Sequence, residues 1–370
     1  MSDVNSDDAK ARNKALRAEM SEWDQRRRLD RIQRIFVKHA HNRAAKAALV
    51  DAYENAIRLR ESSPAFLVGD SRCGKSELIK RFVSEKASEP VPDVPFGCVK
   101  ILGSSARVVY LNCQNGVTPR QACNTMLEEL FKHWLPTRRP SQQDASLLLM
   151  KHFEREKIDM LVIDEAQKMY DGQSPKDIVN WIVSMRDAGF FRIFVTGDRT
   201  LLNLIDTHKV LRDSKHSLVE LRPLSYQTTQ QQEEFALFLE RFDWDMPFVT
   251  TPLSDKKMEE PLYFATRGRP GVLAMLLEAA TVQAFRRFMD KDGKLVELPR
   301  TMEVVDLARA FQRKMGAESR MLGINPFTHV GAFPTYPKTL EGELDELQRV
   351  LAGKAARGRQ RGSRLYDDDK

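Results

Sequence analysis

The stretch FLVGDSRCGKSELIKRF, residues 66–82, decides the fold class of this 370-residue chain. Its residues 69–76 read G-x-x-x-x-G-K-S, the Walker A pattern, in which backbone N–H groups at the start of a helix surround phosphates. An apolar strand is predicted before the loop and an amphipathic helix after it, as this pattern requires. The residues predicted to contact a nucleotide are Gly69, Asp70, Ser71, Arg72, Cys73, Gly74, Lys75, Ser76 and Glu77.

Each kind of residue in this loop has its own expected role. Gly69 and Gly74 are predicted to shape the loop, because glycine permits a close approach of backbone to phosphate. Lys75 is predicted to neutralise charge on the β- and γ-phosphates, and Ser76 to ligate Mg²⁺. We therefore expect ATP and Mg²⁺ to bind here. The alternative is a glycine-rich turn that matches the pattern by chance.

A second acidic motif supports this prediction. MLVIDEAQKM, residues 160–169, is an apolar strand that ends in Asp164 and Glu165. Carboxylates at the carboxyl end of a parallel strand lie at the edge where open α/β sheets bind ligands. Asp164 is predicted to hold Mg²⁺ through water, and Glu165 to polarise the attacking water. This base favours ATP hydrolysis over transfer of a phosphoryl group to a metabolite.

Predicted strands and helices alternate up to residue 225, which is typical of a parallel sheet with helices on its faces. A short strand-like piece after Arg31 is followed by a helix that ends before Pro64. The predicted strands are residues 65–69, 107–113, 159–165, 192–198 and 218–224. The predicted helices are residues 75–86, 119–134, 144–156, 175–188 and 199–206.

Only helical patterns follow residue 225, and one of them starts with Thr229 and Gln232 in capping-box spacing. The predicted fold is therefore an α/β nucleotide-binding domain with a parallel sheet flanked by helices, followed by a small all-helical lid domain. The predicted domains are a polar N-terminal segment at residues 1–30, the α/β domain at 31–225, the lid at 226–324 and a tail at 325–370. The N-terminal segment is expected to be a solvated or partly disordered helix. The tail is predicted to carry a short helix at residues 339–351 before a basic run.

The amino-acid composition predicts the solubility of the protein and its cellular compartment. Charged residues make up 30% of the chain and the mean hydropathy is −0.47, so we expect a soluble protein with no membrane segment. The 4 cysteines show no metal-binding spacing, which favours reduced thiols and a cytoplasmic location. KAARGRQRGSR, residues 354–364, is purely basic and is expected either to add non-specific DNA affinity or to dock on a partner.

Several longer stretches resemble the TniB/TnsC family of transposition ATPases. They are the segment from Arg34 to Ile79, MLVIDEAQ at residues 160–167, VELRPLSYQTTQQQEEFALFLERFDWDMPF at 219–248 and ATRGRPGVLAMLLEAATVQAF at 265–285. The specific part is the order of the D-E-A-Q motif, the E-L-x-P-L segment and the G-R-P-G run. The resemblance covers about residues 31–290 and leaves the tail uncovered.

The resemblance implies an AAA+ fold and an ATP-dependent regulator of DNA transposition. In that family, ATP-bound subunits assemble as a ring or helical filament on double-stranded DNA. They link a target-selection protein of the TniQ type to a transposase, and ATP hydrolysis releases the assembly.

The resemblance also implies roles for further residues. In AAA+ ATPases a polar residue at the position of Thr196 orients water or senses the γ-phosphate. The alternative is a threonine at the end of a strand that only caps a turn. Arg267 and Arg269 precede the long helix of the lid, and Arg269 is predicted to reach the nucleotide. A neighbouring subunit supplies an arginine finger, for which Lys215 is at the expected position and Arg212 lies one turn earlier. A lysine lacks the bidentate fork of arginine, so both stay candidates.

The same family faces DNA near the helix that begins in NGVTPRQACNTML, residues 115–127. Thr118 and Arg120 at its start are predicted to bind backbone phosphate, because N–H groups and a cation converge there. Such binding would be sequence-tolerant and would weaken with salt.

Three other functions stay open. The first is a replication or helicase-loading ATPase of the AAA+ type. The second is a nucleotide-gated scaffold with negligible hydrolysis. The third is a metabolite kinase, which Glu165 and the large helical lid disfavour.

Overall fold

The computed structural model describes residues 13–59, 64–95, 97–103, 106–132, 141–170, 175–187, 190–207, 209–212, 218–314, 324–329 and 333. The described residues up to Phe327 belong to one compact unit, and those from Thr328 onward belong to a second. Among the helices in these ranges, none is long and apolar enough to cross a membrane.

Within the described residues, a sheet of six strands in the order β2-β3-β4-β5-β1-β6 runs through the α/β part. The strands are β1 Ala65–Val68, β2 Val99–Leu102, β3 Arg107–Asn112, β4 Ile158–Asp164, β5 Arg192–Gly197 and β6 Leu218–Glu220. β2 pairs antiparallel with β3, and the other pairings are parallel. The predicted α/β class is therefore confirmed. β2 was not predicted, because a four-residue edge strand is too short to reveal a period.

Helices cover both faces of this sheet and form the part that follows it. Those up to β6 are α1 (residues 13–20), α2 Gln25–Gln33, α3 Ala40–Leu59, α4 Lys75–Ala87, α5 Pro119–Phe131, α6 Gln142–Arg155, α7 Pro175–Asp187, α8 Thr200–Thr207 and α9 Lys209–Arg212. Those after β6 are α10 Thr229–Trp244, α11 Lys256–Thr266, α12 Pro270–Arg287 and α13 Val304–Lys314.

Alternate residues of β4 point to opposite faces of the sheet, as the strand period requires. Leu161 and Ile163 join a hydrophobic cluster with α5, α6, α7 and α8. Met160 and Val162 join another with α3 and α4. Both faces are thus covered, which is the usual condition of a parallel sheet.

The helical part has a hydrophobic cluster of its own, built from α10, α11, α12 and α13. The capping box of α10 is formed by Thr228 and Gln231, one residue before the predicted pair Thr229 and Gln232. The sequence analysis missed α11, whose pattern is interrupted by Pro261. The domain boundaries at residues 225 and 324 stay a prediction, because the contacts group the described residues up to Phe327 into one unit.

The described part of the N-terminal segment is helical, as predicted, but it is packed rather than solvated. Its described part contains α1 and α2, and α2 packs on α12. The strand-like piece predicted after Arg31 is the end of α2 followed by irregular backbone.

Arg28 is fully buried and donates to the carbonyl oxygens of Ser21, Trp23 and Pro299. Desolvation lowers the pKa of Arg28 to about 10. Arginine is buried here because backbone carbonyls satisfy its donors.

A buried ion pair fixes α1 to the helical part. Arg17 donates to both carboxylate oxygens of Asp243, at 3.0 and 3.2 Å, and to the carbonyl oxygen of Phe248 at 2.7 Å. The hydroxyls of Thr251 and Ser254 donate to the same carboxylate. The two residues of the pair lie 226 positions apart in sequence, so no local pattern predicts it.

The tail helix at residues 339–351 and the basic run at 354–364 lie outside the described residues.

We expect Arg17→Ala to lower the free energy of unfolding by about 3 kcal/mol, because it leaves the Asp243 carboxylate buried without its cation. Chemical denaturation measures the change. Glu22→Ala is the control, since its pair with Arg300 is 3.4 Å long and exposed. The control should change stability by less than about 1 kcal/mol. Equal effects of the two substitutions would contradict the packing role of α1.

Candidate nucleotide-binding site

The Walker A loop connects β1 to α4, as its pattern predicts. Its two glycines are required for different reasons. A Cβ added to Gly69 would lie 2.1 Å from the carbonyl oxygen of Leu221, so no larger residue fits there. Gly74 has a φ of 92° and is the N-cap of α4, a left-handed conformation that favours glycine.

Lys75 is the first residue of α4 and is 5% exposed. Its ammonium donates to the carbonyl oxygens of Gly69 and Asp70, each at 2.8 Å. The backbone of the loop therefore surrounds the Lys75 ammonium. A buried ammonium held in this way offers positive charge to a phosphate that enters the loop.

The Asp164 carboxylate joins three of the predicted site residues at the end of β4, and it is 2% exposed. Its Oδ1 accepts a hydrogen bond from Ser76 Oγ at 3.3 Å and another from Thr196 Oγ1. The backbone N–H of Glu165 donates to the same oxygen at 2.9 Å. These contacts bring the Walker A helix, β4 and the end of β5 together at one carboxylate.

Tyr110 also contacts this carboxylate, and the sequence analysis did not single it out. Its hydroxyl donates to Asp164 Oδ2 at 2.5 Å from β3, the neighbouring strand. Burial, followed by the charge of Asp164, raises the pKa of Tyr110 above its usual value, so the hydroxyl keeps its proton. The signal in the sequence was one polar-tipped residue inside the apolar strand RVVYLN.

The donors at this point suit a hard divalent cation. The Ser76 hydroxyl and the Asp164 carboxylate supply oxygen atoms 3.3 Å apart in a partly buried setting. Among the described residues, no group of three or more His, Cys, Asp or Glu side chains could hold a metal ion. Magnesium at this point would therefore need phosphate oxygens and water as its other ligands, which is its usual manner of binding.

Glu165 follows β4 directly in a left-handed conformation, with a φ of 57°. Its carboxylate accepts from Gln167 Nε2 at 2.9 Å and lies 3.4 Å from the Lys168 ammonium. Gln167 in turn accepts from the backbone N–H of Asp198 at 3.3 Å. One amide thus ties Glu165 to the turn after β5. The sequence analysis quoted this glutamine within D-E-A-Q but gave it no role.

The first turn of α12 touches the Walker A loop. The backbone N–H of Gly271 donates to the carbonyl oxygen of Arg72 at 2.8 Å. A Cβ on Gly271 would lie 2.9 Å from that oxygen, so the contact requires glycine. Arg269 is the N-cap of α12, and its charge acts on the Cys73 thiol in the loop. This places Arg269 near the loop, while its contact with a nucleotide stays a prediction.

All four cysteines lie in the described ranges, and each is a free thiol. Burial raises the pKa of Cys73 to about 11, although Lys75 and Arg269 oppose that shift. The thiol in the loop is therefore protonated at neutral pH and is unreactive for that reason.

A further cation lies on the outer side of the loop. Arg199 contacts the Asp70 carboxylate at 3.1 Å and the Glu220 carboxylate at 3.6 Å. It thereby joins the loop, the start of α8 and the end of β6. The sequence analysis missed Arg199, because the two acidic partners are distant in sequence.

The remaining predicted residues are not tested by this geometry. Thr118 is the N-cap of α5, and its hydroxyl accepts from the N–H of Gln121 at 3.0 Å in a capping box. Arg120 is exposed on the first turn of the same helix. Arg212 ends α9, with its side chain outside the described part, and Lys215 lies outside it entirely. Their roles in DNA binding and as a finger stay predictions.

Comparisons with known proteins agree with this geometry. Residues 58–205 match the family model described as AAA domain. The Cdc6p structure from Pyrobaculum aerophilum superposes with a TM-score of 0.55 at 14% identity, over 80% of this chain and 74% of that one. The Orc1 protein of Aeropyrum pernix, solved in complex with DNA, gives 0.51 at 16% identity, over 78% and 68%. No curated protein sequence matches this chain significantly.

The fold is therefore the AAA+ P-loop fold, with further helices after the sheet, as in Cdc6p and Orc1. The match to an AAA domain supports a P-loop ATPase in general terms. The more specific resemblance to the TniB/TnsC family is not confirmed by these matches.

We expect Lys75→Ala to weaken ATP binding by about 100-fold or more, because a buried charge-assisted contact to phosphate is lost. Titration with a fluorescent ATP analogue and Mg²⁺ measures the affinity. Lys80→Ala is the control, since Lys80 lies on the same helix and pairs at 3.1 Å with the exposed Asp93. If the Lys75→Ala protein bound ATP like the control, the assignment of this loop would be wrong.

Proposed function

We propose that this chain is an AAA+ ATPase that binds ATP with Mg²⁺, assembles as a homo-oligomer on double-stranded DNA, and leaves it when ATP is hydrolysed. The observation that supports hydrolysis most directly is the convergence of Ser76 and Thr196 on the buried Asp164, with Glu165 next in sequence. A Walker A loop alone would account for ATP binding. The Glu165 carboxylate, next to Asp164, adds a general base for ATP hydrolysis.

The residues divide this work among them. Lys75 supplies positive charge to the phosphates, and Ser76 and Asp164 hold the magnesium ion. When bound, that ion neutralises charge on the phosphate oxygens. Glu165 orients water and accepts its proton, while Gln167 keeps the Glu165 carboxylate in place. Thr196 reports on the γ-phosphate position through its bond to Asp164.

Binding to DNA rests on weaker support. The Orc1 protein was solved in complex with DNA, and its fold is similar to this one. The chain carries a net charge of +7 and a basic run near its end. Thr118 and Arg120 at the start of α5 would contact backbone phosphate. Contacts of that kind predict sequence-tolerant binding that weakens steeply with salt.

Two biological roles are candidates for the proposed ATPase. The similarity to Cdc6p and Orc1 favours a replication-initiation or helicase-loading type of task, which the sequence analysis held as an alternative. The ordered D-E-A-Q, E-L-x-P-L and G-R-P-G motifs favour a transposition regulator that links a TniQ-type protein to a transposase. A transposase gene beside the gene for this chain would favour the second. A cytoplasmic location is part of the proposal, because the four cysteines are free thiols.

We expect Glu165→Gln to slow ATP hydrolysis by about 100-fold or more while ATP still binds, because the general base is lost. Oligomers on DNA should then persist, as single-molecule dissociation times measure. Glu156→Gln is the control, since Glu156 precedes β4 and pairs with Arg107 at 2.9 Å. Unchanged lifetimes in the Glu165→Gln protein would favour the nucleotide-gated scaffold.

Mixed subunits identify the finger that acts between neighbours. The substitution that removes the finger, Arg212→Ala or Lys215→Ala, should lower hydrolysis by about 1000-fold. Adding Glu165→Gln subunits should restore part of the activity, because these subunits supply a finger to an intact neighbouring site. Steady-state phosphate release measures both effects. If neither alanine variant lowers the rate, both assignments are wrong.

A further inference from the structure

We propose that Tyr110 is a positioning residue for the magnesium ion: it holds the Asp164 carboxylate by one oxygen, so that the other oxygen stays directed at Ser76. The inference rests on the proposed ATP and Mg²⁺ site and adds a residue to it. Tyr110 itself would contact neither the nucleotide nor the metal.

The pairing of β3 with β4 brings the Tyr110 hydroxyl to the Asp164 carboxylate. β3 runs parallel to β4, with Tyr110 opposite Val162 and Asn112 opposite Asp164 in the register. The Tyr110 ring is fully buried in the cluster beneath α3 and α4, the face that carries the Walker A helix. Its hydroxyl reaches the end of β4 and meets Asp164 Oδ2 at 2.5 Å. A buried tyrosine needs such a partner, because an unpaired hydroxyl is costly in an apolar core.

The two oxygens of Asp164 have different neighbours in the described structure. Oδ1 accepts from Ser76, Thr196 and the N–H of Glu165, whereas Oδ2 accepts from Tyr110. Rotation of the carboxylate would break contacts on both sides at once. Asp164 is 2% exposed, so bulk water has little access to replace them. Tyr110 therefore fixes the orientation in which Oδ1 lies 3.3 Å from the Ser76 hydroxyl.

The orientation of the Asp164 carboxylate matters because Mg²⁺ binds well only in a narrow range of coordination geometries. It requires nearly octahedral ligands at short distances and tolerates little displacement. Residues that orient a metal ligand without touching the metal change metal affinity by about 10- to 100-fold when they are replaced. Loss of the Tyr110 hydroxyl should thus act on Mg²⁺ and spare the contacts of the nucleotide with the loop.

The test is the Tyr110→Phe variant of the full chain, which removes one oxygen and keeps the ring. A fluorescent ADP analogue is titrated in EDTA, and Mg²⁺ is then titrated into the ADP-loaded protein. We expect the affinity in EDTA to stay within about twofold of the wild type. The Mg²⁺ concentration for half-saturation should rise about tenfold.

Tyr226→Phe is the matched control, because its hydroxyl also bonds a carboxylate, that of Glu259 at 3.4 Å, but in the helical part of the chain. It should leave both titrations unchanged. An unchanged Mg²⁺ titration in Tyr110→Phe would overturn the proposal. So would an equal loss of affinity with and without Mg²⁺, since that would indicate a purely structural role.

A second probe applies if Tyr110→Phe does not fold. 3-Fluorotyrosine at position 110 retains the ring and the hydroxyl, and its fluorine resonance reports on the bond to Asp164. We expect that resonance to shift when Mg²⁺ is added to the ADP-loaded protein, and an unshifted resonance would overturn the proposal. Failure of the proposed function is distinguishable: the wild type itself would then bind ADP without any dependence on Mg²⁺.

Discussion

The buried carboxylate at the end of β4 is the constraint on which the nucleotide site depends. Asp164 accepts hydrogen bonds from the Walker A helix, from β5 and from β3. An acidic group in this position is stable only because donors surround it, since an unpaired charge would not tolerate the burial. The same donors prevent the elements from shifting independently. A disturbance at any one of them therefore reaches the oxygen that we propose as the magnesium ligand.

Two other contacts extend this constraint beyond the sheet. The amide of Gln167 donates to Glu165 and accepts from the N–H of Asp198, so it joins the proposed base to the turn after β5. The N–H of Gly271 bonds the carbonyl of Arg72, so the first turn of α12 rests on the phosphate loop. A change at the phosphates has a direct backbone route into the helical part. Such a route suits the nucleotide-dependent assembly that we propose.

The N-terminal segment shows that a polar composition does not predict exposure. Arg17 and Arg28 are buried because carbonyl oxygens and the Asp243 carboxylate lie where their guanidinium groups end. Charge runs are usually solvated, and nothing within residues 13–33 identifies the exception. The partners of Arg17, and Pro299 among the partners of Arg28, lie more than 200 positions away in sequence. Burial of an arginine is decided by what the rest of the chain offers to it.

The sequence by itself determined the α/β class and five of the strands. It also predicted Lys75, Ser76 and Asp164 as site residues, and the family resemblance added Thr196. In the structure Ser76 and Thr196 both donate to Asp164, while the roles of these residues stay predictions. Local chemistry suffices for these, because a glycine loop before a helix and an acid after an apolar strand each have a fixed place in a parallel sheet. Tertiary structure alone decided that Tyr110 is bonded to Asp164 and that Gln167 accepts from the N–H of Asp198. It also decided that Arg199 joins Asp70 to Glu220. The physical reason is register: which side chains meet across neighbouring strands depends on how those strands are paired, and a single strand's residues carry no record of that pairing.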